Sequence, residues 1–440
     1  MPWLLANEAQ YLVVALQSSK KLRLFSDQLS SSAHELCCFH HHLPYLEKCF
    51  PSVYVLTVLF CSENGKEALS CEALRKVHHL RLERGVIEKN EDIQFITRLE
   101  LCDLTCDELT LKSILKCCPL LQDLSLDRCL YLSDVIVHEA VGNLLHLSAL
   151  RVTRCFFVSM IDATRLPKRL MSLNLDKSTN LRDLCFSSTV TWTNMIITEC
   201  NLSFTGVSVQ TIENLLRVCP VLQDLTLVQC SQLKDELIVK SRSLVRLNLK
   251  NSFNLSSLSV LCQDLDFLNV SHCKLMALQV ESHCISSLEL CFMLQLQNLT
   301  LSCASLRSLN LSGCRHITFN EFLVDKMNHL NLAGASSSSP SASLPAEAFI
   351  TKIFESCPLL DAQYFATNCV GSSLQDYRSF IFSFSATSNK CTRVSNDSSA
   401  TANTEEVRRY GSGDKSRGTS RRRRSRSTSE SNTGSTITYR

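Results

Sequence analysis

The chain has 440 residues, 45% hydrophobic and 20% charged, with a formal net charge of +3. That composition supports an extensive core and excludes a wholly disordered chain; only 11 glycines, thinly spread, argue against a nucleotide-binding enzyme. No run reaches the roughly eighteen apolar residues a membrane helix needs, so no membrane partner is expected.

Charge is unevenly distributed. From Glu405 to Arg440 ten Lys/Arg face four Asp/Glu, a surplus of +6, which leaves about −3 for the body. The opening MPWLLANEAQYLVVALQ has no basic residue before its apolar stretch, and Asn7, Glu8 and Gln10 interrupt it, unlike a secretory signal. The 24 cysteines are therefore expected to be reduced thiols in the nucleus and cytoplasm. Sequons at Asn201, Asn254, Asn269, Asn298 and Asn310 support the extracellular alternative.

Residues 1–49 read as an N-terminal capping region. Within it SAHELCCFHHH gathers His34, Cys37, Cys38, His40, His41 and His42, all metal-ligand types. Adjacent ligands cannot all reach one tetrahedral centre and the paired spacing of zinc sites is missing, so no metal is expected there.

From residue 50 one sentence is repeated. CPLLQDLSLDRCLYLSD (118–134) returns as CPVLQDLTLVQCSQLKD (219–235), reducing to Leu121, Leu124, Leu126, Cys129 and to Leu222, Leu225, Leu227, Cys230. The same LxxLxLxxC pattern fits Val53 to Cys61, Leu147 to Cys155, Trp192-Met195-Ile197-Cys200, Leu265 to Cys273 and Leu306 to Cys314. Weaker copies centre on Leu80, Leu99, Leu173, Leu247, Leu288 and Leu330. Centres mostly 19 to 26 residues apart form the leucine-rich-repeat signature. Each short strand turns its leucines to one side, and only stacking covers them, at about 1.5–3 kcal/mol per buried leucine. The repeated cysteine is a small residue that tolerates burial in the turn beneath the strand.

Convex helices are expected in SENGKEALSCEALRKV, CDELTLKSILKCCP, SVQTIENLLRVCP and AEAFITKIFESCP, three of which end at a proline. From about 244 to 314 half-copies at Leu258, Leu278 and Leu299 put centres every ten or eleven residues, too close for helices, so both sides are expected to be extended. The fold class is thus α/β: a curved solenoid over residues 50–365 with a parallel concave sheet. Beyond it lies a C-terminal region, 366–440, that is mostly a disordered tail.

The helix ending in CP just before a cysteine-bearing strand, in CCPLLQDLSLDRC, RVCPVLQDLTLVQC and LRSLNLSGC, resembles F-box/leucine-rich-repeat proteins. The resemblance covers about residues 49–360 and implies a non-catalytic, cofactor-free subunit that binds a protein substrate for a cullin-type (SCF) ubiquitin ligase, with a Skp-type adaptor and a cullin as partners. The family's F-box is not recognisable: Leu43-Pro44 suggests its start, but strand motifs beginning at Val53 leave no space for a three-helix module.

The polar positions of LxxLxL face the concave surface, which solenoids use for partners. They supply Arg81, Glu83, Arg98, Glu100, Asp123, Asp127, Arg151, Asp176, Asp224, Arg246, Asn248, Lys250, Phe267 and Asn269 as candidate binding residues. Phe267 is the aromatic anchor among them, and Asn248, Asn269, Asn310 and Asn331 repeat in one place, as a ladder or as ligand contacts. The bland alternative is a solvated sheet face. In the tail, KSRGTSRRRRSRSTSES carries Arg421, Arg422, Arg423 and Arg424, a block suited to nuclear import or to nucleic-acid phosphates. A nuclear scaffold whose Arg/Ser tail contacts RNA or splicing factors is the alternative function. A cysteine enzyme is disfavoured because the repeat register explains so many thiols.

Overall fold

In the computed structural model the described residues are 35–39, 53–60, 65–67, 72–87, 93–104, 108–185, 195–314, 318–324 and 326–331. They form a leucine-rich-repeat solenoid. Fourteen parallel strands, from Glu35–Phe39 to His329–Asn331, follow one another in chain order along a single sheet. Successive central residues pair in register, as Leu99 with Leu124, Leu124 with Leu150, and Leu247 with Leu268. These leucines are fully buried, because a period of two sends alternate side chains to one face. The sheet starts earlier than Val53, since Glu35–Phe39, inside the stretch read as a cap, pairs with Val55–Leu59.

One copy of the motif is corrected. Cys200, assigned by sequence to the turn, is the central residue of its strand, paired with Leu173 and Leu225. The coil therefore runs Ile197-Cys200-Leu202, five residues later than Trp192-Met195-Ile197 suggests. A cysteine in a leucine's place disguised the register.

Eleven successive coils, from that of Leu80 to that of Leu309, turn by the same device. Four residues after the central position the backbone is left-handed, at Arg84, Asp103, Arg128, Arg154, Lys177, Phe204, Gln229, Asn251, His272, Phe292 and Gly313. Ten of the eleven are not glycine, although the conformation costs about 1 kcal/mol or more with a side chain. What holds them there is the next coil: Arg128 N–H donates to Thr153 O, Arg154 N–H to Asp176 O and His272 N–H to Cys291 O, each within 3.0 Å.

One residue further on, a thiol or hydroxyl donates to a carbonyl of the preceding coil. Cys155 reaches Leu126 O, Ser178 Val152 O, Cys230 Leu202 O, Ser252 Leu227 O, Cys273 Leu249 O and Cys314 Leu290 O, at 2.9–3.6 Å. The repeated cysteine is thus a buried hydrogen-bond donor that joins coils. Fifteen described cysteines are free thiols, and burial pushes those of Cys118, Cys230, Cys273 and Cys314 up to about 12, so they stay protonated at neutral pH.

The convex side changes along the chain. Helix α1 (Glu108–Lys116) and helix α3 (Val209–Val218) occur where expected. In α3 the Ser208 hydroxyl caps Thr211 N–H, and Ile212, Leu215 and Val218 are buried. Helix α2 (Asp134–Val141) was not anticipated; its acidic first turn and buried Val137 and Val141 were the available signal. The expected helix in SENGKEALSCEALRKV is instead a strand, Gly65–Glu67, and a 3-10 turn, Glu72–Lys76. Gly65 and Ser70 weaken helical propensity there. AEAFITKIFESCP lies outside the described residues. A second parallel sheet of five strands, from Asp235–Ser241 to Thr318–Leu323, backs the later coils. The two-sided extended section is therefore real and longer than 244–314.

Candidate binding surface on the concave sheet

The concave face has two electrostatic characters. From the third to the sixth strand of the sheet its charges are spent on one another. Arg81 pairs with Glu83 at 2.7 Å and with Glu100 at 3.1 Å, and His79 meets Glu100 at 3.0 Å. Arg98 and Arg151 close on Asp123 at 2.9 and 2.6 Å. Asp127 receives two bonds from Arg154 and one from Thr153, with Arg128 at 3.4 Å. Asp123 and Asp127 are only 8% exposed, so these two predicted contact residues lie beneath their arginines rather than at the surface. Arg128, Arg154 and Asp103 complete the lattice from left-handed turn positions, outside the LxxLxL pattern.

Beyond Arg151 the face opens into a hollow of about 440 Å³, lined by Asn174, Glu199, Asn201, Asp224, Arg246, Asn248 and Phe267 among others. Asp224 holds Arg246 through two bonds, at 2.6 and 3.1 Å. Asp176 pairs with Lys177, and Lys250, two residues beyond Asn248, is exposed and does not line the hollow. Phe267 is half-buried, next to Arg246 in register. Glu199 is exposed and forms no ion pair among the described residues, although its charge reaches the Arg246 guanidinium at longer range. Glu199 and Asn201 escaped the sequence reading because the misplaced copy put the strand elsewhere. Aligning ECNLS with SLNLD, RLNLK, FLNVS and SLNLS would have found both.

The asparagines are not stacked amide to amide. Asn174, Asn201, Asn248, Asn269 and Asn310 each use Oδ1 to accept the backbone N–H two residues on, at 3.0–3.2 Å. The sequons at Asn201, Asn269 and Asn310 are thus strand-and-turn positions whose amide oxygens are committed. On the turn edge Tyr131 and Phe157, both exposed, stack at 6.1 Å. Arg421, Arg422, Arg423 and Arg424 lie outside the described residues. Among the described residues no group of three or more His, Cys, Asp or Glu could hold a metal, and no helix is long and apolar enough to cross a membrane.

No protein-family model matches the sequence, and no curated protein matches it. Solved structures that resemble it include an internalin of Listeria monocytogenes (16% identity, 61% of this chain and 85% of that one, TM-score 0.36). YopM of Yersinia enterocolitica matches at 16% identity over 64% of each chain, with a TM-score of 0.36. Rad7, solved with Elc1 from yeast, matches at 16% identity over 81% of this chain and 88% of that one, with a TM-score of 0.31.

Proposed function

We propose that the chain is a protein-recognition subunit whose concave hollow receives a segment of a partner protein, and that it serves a cullin-type ubiquitin ligase as the substrate-recognition component. The observation that carries the binding reading is the contrast on one sheet: the charges around Asp123 and Asp127 satisfy one another, while Glu199 in the hollow has no ion-pair partner among the described residues. Charged groups left unpaired at a concave surface offer specificity at little folding cost. The ligase role rests on the resemblance of the CP-terminated helices and cysteine-bearing strands to F-box/leucine-rich-repeat proteins. A nucleus-and-cytoplasm location and binding to a Skp-type adaptor belong to the same reading.

Affinity purification with mass spectrometry from cells expressing the intact chain, beside one lacking residues 385–440, is the test. Recovery of a Skp-type adaptor and a cullin with both chains supports the ligase role. The four-arginine block favours a second reading, a nuclear scaffold that contacts RNA or splicing factors. Recovery of RNA-binding proteins alone, lost with the tail, selects that one.

A further inference from the structure

The asparagine column fixes the chemistry of what the hollow takes. A backbone N–H can only donate, so the side-chain atom facing Asp176, Ser203, Lys250 and Ser271 N–H must be the amide oxygen. The NH2 groups of Asn174, Asn201, Asn248 and Asn269 are thereby left for a ligand. All four residues are partly exposed and lie on strands whose neighbours sit about 4.8 Å apart. Asn310, further along, spends its NH2 on Glu289 at 2.9 Å, so the open donors are confined to the hollow and its margin.

A surface of donors asks for acceptors, and the local charge decides which kind. The hollow's ionised groups are Glu199, Asp224 and Arg246; Asp224 bonds Arg246 directly and Glu199 feels the same guanidinium only at longer range, so the three together carry one negative charge in excess. The remaining carboxylate repels phosphate and other polyanions, which excludes them as the donors' natural partner. Peptide carbonyls carry the same acceptor geometry without the charge, and a cation nearby would satisfy Glu199. Phe267 at the end of the hollow adds an apolar contact.

Resting on the protein-binding reading, we propose that the hollow binds an extended peptide segment of the partner. Its backbone carbonyls accept from the asparagine amides, and a Lys or Arg side chain meets Glu199.

The test is a selection of random displayed decapeptides on the full-length protein. A free peptide copying residues 415–430 is added in excess, to remove acidic sequences drawn to the basic tail. Enriched peptides are expected to carry Lys or Arg. Measured by fluorescence polarisation, Glu199→Gln should weaken the best binder at least tenfold and abolish the preference for a basic residue. Asn201→Thr with Asn248→Thr should also weaken it at least tenfold; threonine is chosen because Thr226 occupies this column in the coil between, so the fold accepts it. Equal melting temperatures would confirm that the variants are folded. The inference is overturned if nothing is enriched, if the enriched peptides are acidic or neutral, or if either variant binds like the parent. The ligase reading fails separately, on the absence of adaptor and cullin in the purification.

Discussion

The early and late coils build the same concave sheet but close it differently. Between Leu99 and Leu225 centres are 23 to 27 residues apart, and among the described residues three helices return the chain along the outside. Between Leu247 and Leu330 they are 20 or 21 apart, and a second parallel sheet takes the helices' place. Packed helices need 8–10 Å each, while strands on both sides need about 4.8 Å, so the first section must curve and the second can run straight. The difference shows that the inner strands keep one spacing, while only the longer coils have room for a helix outside and the local sequence decides whether one forms. Concave chemistry follows a similar division: ion pairs dominate the early face, and from Asn174 onward the amides recur.

The largest expected effect tests what the two sections share. Replacing Leu225 and Leu227 with Asp puts two carboxylates into fully buried sites and should abolish cooperative unfolding by circular dichroism. The matching pair Leu268→Asp with Val270→Asp in the sheet-backed section should do the same. If either pair melts like the parent, the strand register there is wrong. Asp224→Ala, on the adjacent outward position, should melt within about 2 °C of the parent.

Next comes the lattice that distinguishes the early face. Asp127→Ala leaves Thr153 and Arg154 without their acceptor, and should cost about 1–2 kcal/mol in chemical denaturation. The upper limit for a buried pair is not expected, since Arg154 remains partly exposed and can rehydrate. A loss no larger than that of Asp224→Ala would make the lattice ornamental.

A pH effect should also be confined to the helix-backed section. On α2, His138 Nε2 accepts Asp162 N–H at 2.6 Å, which requires a neutral ring, and burial lowers its pKa from the ordinary 6.5. The unfolded chain then binds a proton that the folded one refuses, so this contribution is full above pH 6.5 and is lost as pH falls towards the depressed value. Melting temperature should drop less between pH 7.5 and 5.5 in His138→Gln than in the parent. Equal slopes would show that His138 accepts no such bond.

In the late coils Gly313 offers the counterpart. It is the one glycine in the left-handed column (φ +74°), and a Cβ there would lie 2.5 Å from the Phe292 ring, which itself stacks on His272 at 4.9 Å. Gly313→Ala should cost about 1 kcal/mol or more, read as a lower denaturation midpoint. A neutral result would mean that Phe292 swings aside.

These positions also show what a linear reading reaches. Leu124, Leu150 and Leu268 announce themselves because burial restricts residue type, so the sheet, its register and the change at the late coils were legible. Cys200 was misread since the inward site accepts a cysteine as readily as a leucine, and Glu199 and Asn201 went with it. The outward positions were legible as a set, but which are free was not. Asp123 and Glu199 look alike in sequence, and only the arginines stacked on neighbouring coils make one a structural ion and leave the other open. Which end of an asparagine amide faces outward depends on a backbone N–H two residues away, and periodicity carries no record of it.

The smallest expected effect concerns the column of thiols and hydroxyls, which runs through both sections. Ser178 and Ser252 make from the same position the bond that Cys155 and Cys273 make, at 3.0 and 2.9 Å. Cys273→Ser, bonded to Leu249 O, should therefore cost less than about 1 kcal/mol, and Cys273→Val more, because the carbonyl loses its side-chain donor. Cys155→Ser should match Cys273→Ser if the column serves only to join coils. Cys155 differs in one respect: the neighbouring Cys129 thiol draws its pKa down, whereas burial drives the Cys273 thiol up. A clearly larger loss in Cys155→Ser would assign that cost to the contact between neighbouring sulfurs and mark the early coils as the section where the column does more than pack.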